Sequence, residues 1–467
     1  MKRRRAVAAL ISILILVPAG AGSLLLGQAP AAPDEARVRW LAANGVPIRS
    51  ADPADAEFSD LMPLKEAIGP ARVVLLGEQS HGDGTTFLMK CRLVKFFHEV
   101  MGFEVLAWES GLYDCREMEA ALHRDVPLQE AVLKGIFAIW GASRQVLPVF
   151  EYARSTYGGT TPLEMAGFDC QFSAAASRES FPAKIRRFLE AAGPSALSPE
   201  EAKLLPSALD LQALMKMKAE ERRPYREFVG RLPRIIEANR PALLAAMSAA
   251  EIDFWDRSAR NLKNLYEMIE VLAAGKLSKA SDNNSRDRAM GETLVWLANE
   301  RYRGRKIVVW AASFHNMWRG SEIETGVPGL DYKELRTMGD EVLERLGDEA
   351  YSIAFTAYQG KMGVAHRPAA DAKDLEVPAP DSLEAAFHGT GNAFMFLDFR
   401  KLRNDPRNWI REGVVARPLG YSPMKTDWTR HFDAMVFTDV MVPSSRAEGQ
   451  APAPAPKSAE RKGEKTR

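Results

Sequence analysis

Residues 73–109 read VVLLGEQSHGDGTTFLMKCRLVKFFHEVMGFEVLAWE, and this stretch decides the fold. The apolar run 73–76 ends at once in Gly77, Glu78 and His81. Residues 85–101 have the spacing of an amphipathic helix, and a second apolar run, 105–108, stops at Glu109. The order strand, loop, helix, strand predicts two parallel strands joined by a crossover helix. In such a sheet Glu78, His81 and Glu109 fall beyond the carboxyl ends of neighbouring strands, where open α/β sheets bind ligands.

Similar apolar, β-rich runs recur at 163–167, 307–311, 351–358, 393–397 and 434–438, mostly separated by amphipathic segments. The alternation predicts an α/β fold: a mostly parallel central sheet flanked by helices. Residues 33–70 read as a lead-in with helices at 34–44 and 60–68. Residues 179–277 carry almost no strand signal and much Ala, Leu, Glu, Lys and Arg. They read as an inserted helical lobe, either a substrate wall or a scaffold bundle. Ser198-Pro-Glu-Glu and Asp253-Phe-Trp-Asp look like helix starts, with Pro224, Pro233 and Pro241 as dividers. Residues 443–467 are rich in Pro, Ala and charge and predict a disordered tail after an α/β domain spanning 33–442.

The chain has 467 residues, with 62 basic against 61 acidic side chains and a net charge of +1. That balance gives no global field for nucleic acid, and no nucleic-acid partner is expected. Lys2 and Arg3–Arg5 precede an apolar stretch at 6–27 and the small-residue run Ala29-Pro30-Ala31-Ala32. Residues 1–32 therefore read as a secretory signal, with cleavage near Ala29–Ala31 or after Ala21. A periplasmic or secreted protein follows; the alternative is an uncleaved inner-membrane anchor, the only membrane contact expected. Cys91, Cys115 and Cys170 cannot all pair within one chain. They read as small buried residues, with one disulfide as the alternative.

His81 sits in a loop flanked by Gly77, Gly82 and Gly84, which leave room for a ligand. An imidazole can take a proton near neutrality, and Glu78 three residues earlier is placed to orient it. Glu109 ends an apolar strand, where a carboxylate must be paired or wet. His315 follows the apolar run of KIVVWAASFHNMW and points to the same crevice. Lys90 and Arg92 lie two apart on the predicted helix, so one faces the site and the other away. Either cation could steady a developing oxyanion or bind substrate. Asp169 in GFDCQ closes a further strand and is the third substrate-binding candidate. Asp398 and Asp433 read as structural, as do His98, His123, His366, His388 and His431. There is no G-x-S-x-G, H-E-x-x-H, P-loop or G-x-G-x-x-G after a strand. No cofactor and no metal are expected, because loop-separated single ligands without HxH or HxxxH spacing are a poor metal signal.

LLGEQSHG resembles the L-G-E-x-[ST]-H-G motif of the erythromycin esterase family. The likeness continues through KCRLVKFFHEVMGF, LAWES, GFDCQ, RDRAMGETLVWL, KIVVWAASFHNM and FDAMVFTD, over about residues 60–440. The resemblance implies a metal-independent hydrolase with an α/β core and a helical lobe, acting on a small-molecule ester or lactone. It implies His81 as the base that activates water, Glu78 and Glu109 as the acidic site residues, and Lys90 at a position where Arg or Lys is common. One position departs. Where the family commonly reads H-N-x-H, this chain has Ala312-Ser313-Phe314-His315, so one imidazole is missing. The rival expectation is a catalytically degenerate binding protein of the same fold.

Overall fold

The computed structural model describes residues 34–447, apart from 173, 194–195 and 275–278. The expected signal or anchor at 1–32 lies outside the described residues, as does the tail from 448 onwards. Nine strands form the main sheet: β1 (Val46–Pro47), β2 (Val73–Leu76), β3 (Phe103–Gly111), β4 (Glu164–Asp169), β5 (Lys306–Trp310), β6 (Ala350–Met362), β7 (Lys373–Asp374), β8 (Phe394–Asp398) and, after a separate two-stranded pair β9 (Val414–Ala416) and β10 (Met424–Thr426), β11 (Ala434–Met441). Their order is β1-β8-β11-β6-β2-β5-β3-β4, with β7 on β6. The run from β11 to β4 is parallel throughout, and β8, β1 and β7 add antiparallel edges. The fold is thus the expected mostly parallel α/β sheet.

Side chains alternate across the pleat. Val73, Leu75, Val105, Ala107, Ile307 and Val309 face one core, and Val74, Leu76, Leu106, Trp108, Val308 and Trp310 face the other. The helix Gly84–Met101 fills the second face with Phe87, Met89, Leu93, Phe96 and Phe97, and Trp108 stacks on Trp310 at 4.7 Å. The helical lobe covers the first face: Phe181, Ile185, Phe228, Leu232, Trp255 and Leu262 share one core with the sheet.

Several boundaries differ from the sequence reading. Pro224 and Pro233 do not divide the lobe; both lie inside one helix, Ala219–Ala238, whose face of Phe228, Val229, Leu232 and Ile236 is buried. That apolar burial outweighs the lost backbone bonds. Ser198 does cap a helix, with the Glu201 capping box, but the Asp253 start is displaced to Ala249, capped by Ser248. The tail begins later than 443, because Pro443 to Ala447 pair with the loops around 82 and 143. Cys91, Cys115 and Cys170 are free and buried. Among the described residues no helix is long and apolar enough to cross a membrane.

Candidate active site

Four adjacent parallel strands, β2, β5, β3 and β4, deliver the site residues at their carboxyl ends. Glu78 and His81 follow β2, His315 follows β5, Glu109 lies in the last turn of β3, and Asp169 ends β4. β3 runs two residues past Glu109, and its register on β4 shifts between Trp108 and Gly111. Irregularities of this kind re-aim side chains beside active sites.

The first cluster is built on Glu78, which is fully buried. Its Oε1 accepts from Trp140 Nε1 at 2.8 Å and lies 2.8 Å from His81 Nδ1. Its Oε2 accepts from Lys90 Nζ, also at 2.8 Å. Three partners thus fix both carboxylate oxygens. Lys90 is buried as well, donates to the Ala311 carbonyl at 3.3 Å and lies 4.2 Å above the Trp310 ring. Burial draws the Lys90 pKa down, against the opposing pull of Glu78. His81 packs edge-on against Trp140 at 5.1 Å and keeps 14% of its side chain exposed. With Nδ1 committed to Glu78, Nε2 is the ring's basic atom.

The turn beneath His81 is held by Asp83. The Ser80 amide donates to Asp83 Oδ2 at 2.8 Å and the Tyr421 hydroxyl to Oδ1 at 2.9 Å. Burial nevertheless pushes this carboxyl up to about 8.

The second cluster surrounds Arg286 on the helix Asn284–Trp296. Its Nη2 donates to Glu109 Oε1 at 2.8 Å and to Asp169 Oδ2 at 2.6 Å, and Nε donates to Asp169 Oδ1 at 3.3 Å. Glu109 Oε2 accepts the Ala312 amide at 3.0 Å. The neighbouring Asp287 lies 2.7 Å from His315 Nδ1 and also accepts the Met338 amide at 2.9 Å. His315 Nε2 is 3.2 Å from Arg286 Nη1 and 3.3 Å from Glu109 Oε1, so a donor and an acceptor compete for one nitrogen. Asp287 at one ring nitrogen and Glu109 at the other favour the charged ring, which gives an N–H to each. Burial opposes that charge, but Asp287 and Glu109 override it and hold His315 at about 10. Burial likewise acts to raise Glu109, and the positive charges of His315 and Arg286 hold it well below the usual carboxylate range. Among the described residues, no group of three or more His, Cys, Asp or Glu is spaced to hold a metal ion.

The residues expected at the site are therefore mostly gathered there. Glu78, His81 and Lys90 share one cluster, and Glu109, His315 and Asp169 share the other. Arg92 is the exception. Its guanidinium is buried on the opposite side of its helix, bonded to Asp60 at 2.8 Å through both Nη atoms and to the carbonyls of Ser50, Asp55 and Glu57. It ties the lead-in to the helix Gly84–Met101. Asp169 and Lys90, expected to touch substrate, both have internal partners. The sequence reading missed Arg286, Asp287 and Trp140 as site residues; the stretch RDRAM was the available signal.

The family model for erythromycin esterase matches residues 98–441. The chain belongs to the erythromycin esterase family. It is similar to a putative hydrolase, YbfO, of Bacillus subtilis strain 168, at 24% identity over 87% of this chain and 91% of that protein. It is also similar to the erythromycin esterase type II of Escherichia coli, at 22% identity over 85% and 96%. A crystal structure of a Bacillus cereus protein shares the fold, with a TM-score of 0.73 at 20% identity, covering 89% of this chain and 99% of that one. The α/β sheet is consistent with this family of hydrolases, and the matched stretch includes Glu109, Asp169, Arg286, Asp287 and His315.

Proposed function

We propose that this protein hydrolyses an ester or lactone, with His81 as the general base. The observation that carries this reading is the Glu78–His81 contact, 2.8 Å, on a carboxylate already saturated by Trp140 and Lys90. It commits Nδ1 and leaves Nε2 to take a proton from water. The resulting hydroxide attacks the carbonyl carbon. The tetrahedral oxyanion then collapses, the C–O bond breaks, and the alkoxide leaving group takes the proton back from His81. Glu78 stabilises the imidazolium formed in between. Positive charge for the oxyanion comes from Arg286 and His315. The same reading takes residues 1–32 as a secretory signal, which would make the enzyme periplasmic or secreted, with an uncleaved inner-membrane anchor as the alternative.

A positioned base contributes roughly 10²–10⁴-fold. His81→Ala should lose at least that much turnover with an unchanged melting temperature. The assay incubates wild type and variant with simple esters, lactones and macrolides and follows the gain of one water by mass spectrometry. Turnover retained in His81→Ala rejects the assignment. Ala312 favours a second reading, a binding protein of the same fold; it predicts thermal stabilisation by a ligand with no product from any member of the panel.

A further inference from the structure

The last described residues do not leave the molecule at the end of β11. Pro443 to Ala447 cross directly over the turn that carries His81. Pro443 forms an antiparallel bridge with Asp83, and the Ser444 amide donates to the Gly82 carbonyl at 2.8 Å. Just before it, the Val442 amide donates to Thr85 Oγ1 at 2.8 Å. The same five residues then pair with the segment that follows Trp140. Arg446 bridges Ser143, the Arg144 amide donates to the Ser445 carbonyl at 2.8 Å, and the Ala447 amide donates to the Ala142 carbonyl at 3.1 Å. The hydroxyls of Ser143 and Ser444 meet at 2.8 Å, both buried, and the Ser445 amide donates to Gln145 Oε1 at 2.9 Å.

The two segments so joined converge on the same oxygen of Glu78, Oε1. One carries His81, and the other carries Trp140. The two segments are distant in sequence: Trp140 lies 62 residues from Glu78. The glycines of the turn fit the crossing. A Cβ at Gly84 would lie 2.7 Å from the Pro443 carbonyl oxygen and 2.8 Å from that of Val442. The SHGDG turn is open because a backbone passes over it.

We infer that Pro443–Ala447 is a positioning strap for the base: it fixes the turn of His81 against the segment of Trp140, and Ser444 is its key residue through its backbone N–H. This inference rests on the proposed role of His81. The strap touches no reacting atom, so its loss should lower kcat and leave KM nearly unchanged. A misplacement on the order of 1 Å costs about 10²-fold in rate.

Four proteins test it: the full chain, a chain ending at Ala447, Ser444→Pro and Ser444→Ala. Proline removes the N–H that Gly82 receives; alanine keeps it, and Ser143 Oγ keeps Gln145 as a partner. Turnover of p-nitrophenyl acetate is measured alongside NMR spectra of histidine-labelled protein, with the His81 signal assigned through His81→Gln. Ser444→Pro should lose roughly 10–100-fold in kcat and shift the His81 signal, whereas Ser444→Ala and the chain ending at Ala447 should match wild type in both. Gly84→Ala, which pushes the strap from the other side, should behave like Ser444→Pro and serves if the proline variant does not fold. A folded Ser444→Pro or Gly84→Ala with unchanged kcat and an unmoved His81 signal overturns the strap. If the wild type turns over no ester, the hydrolase reading fails instead, and the His81 signal alone decides whether the strap positions the ring.

Discussion

Glu78 and Lys90 are both fully buried and meet at 2.8 Å, so their coupling is measurable by removing each charge alone and both together. Lys90→Met keeps most of the side-chain volume but leaves a buried carboxylate with only Trp140 and His81 as partners. Breaking a buried pair from one side costs about 3–5 kcal/mol. Glu78→Gln should cost less, about 2 kcal/mol, because burial already draws the Lys90 pKa down and the amine can shed its proton. The double variant carries no buried charge here and should lie within about 2 kcal/mol of wild type, well short of the sum of the singles. The assay is urea denaturation followed by tryptophan fluorescence for all four proteins, with ester turnover in parallel. Glu78→Gln removes the carboxylate that stabilises charge on His81, so its turnover should fall by about 10²–10⁴-fold. The double variant should regain stability without regaining turnover. Additive stabilities, or a Lys90→Met defect below about 1 kcal/mol, would refute the claim that this pair is a buried, coupled unit.

Three further outcomes are expected. His315 titrates near 10 in the fold against about 6.5 for the free side chain. Its raised pKa adds stability that is fully present below pH 6.5 and is lost as pH rises through 10, in total about 5 kcal/mol at 1.36 kcal/mol per unit. The melting temperature should fall over that window, and His315→Gln should flatten the fall; parallel pH profiles would reject the charged ring. The three cysteines are buried, with Cys91 pushed up to about 12 by burial and the other two thiols raised well above the usual value. A thiol reagent at pH 8 should label none of them in the folded protein and all three in denaturant without reductant, and fewer than three after denaturation would mean a disulfide. Gly360 has φ +107°, and a Cβ there would sit 2.1 Å from the Met441 carbonyl oxygen in the β6–β11 ladder. Gly360→Ala should therefore cost at least about 1–3 kcal/mol, read as a lowered melting temperature; an unchanged value would mean the ladder yields there.

The strands β2 to β6, β8 and β11 were legible because each carries an apolar run bounded by turn residues, whereas β1, β7, β9 and β10 are too short to leave one. β2 spans Val73–Leu76 as read, and the helix after it begins only one residue early. The boundaries that moved are those where tertiary burial competes with local signals, as in the helix that runs through Pro224 and Pro233. In the site, residues near the strand ends were legible because a polar group after an apolar run has to be accounted for. Arg286 and Asp287 were not. They open a helix in the charged run Arg286-Asp287-Arg288, which reads as a solvated first turn, and their partners Glu109 and His315 lie 177 and 28 residues away. Lys90 and Arg92 show how far helix geometry alone carries. It separates the two onto different faces, but only the contacts reveal that Lys90 serves Glu78 and Arg92 serves Asp60.

The departure at Ala312 takes on a definite meaning from this arrangement. The base and the charged array are assembled separately: Glu78 is saturated by Trp140, His81 and Lys90, whereas Glu109 is held by Arg286, His315 and a backbone N–H. That N–H belongs to Ala312 itself, so the position keeps a structural task that any residue's backbone can perform. What alanine lacks is an imidazole at this point; the segment meets the Glu78 cluster through its backbone, the Ala311 carbonyl accepting from Lys90 and the Ser313 amide donating to the Glu78 carbonyl at 2.9 Å, and neither bond needs a side chain at 312. On the proposed mechanism, the substitution bears on which leaving group or carbonyl the array engages and not on the activation of water by His81. On that mechanism, Ala312→His should change which esters or lactones are turned over and leave the dependence of turnover on His81 unchanged.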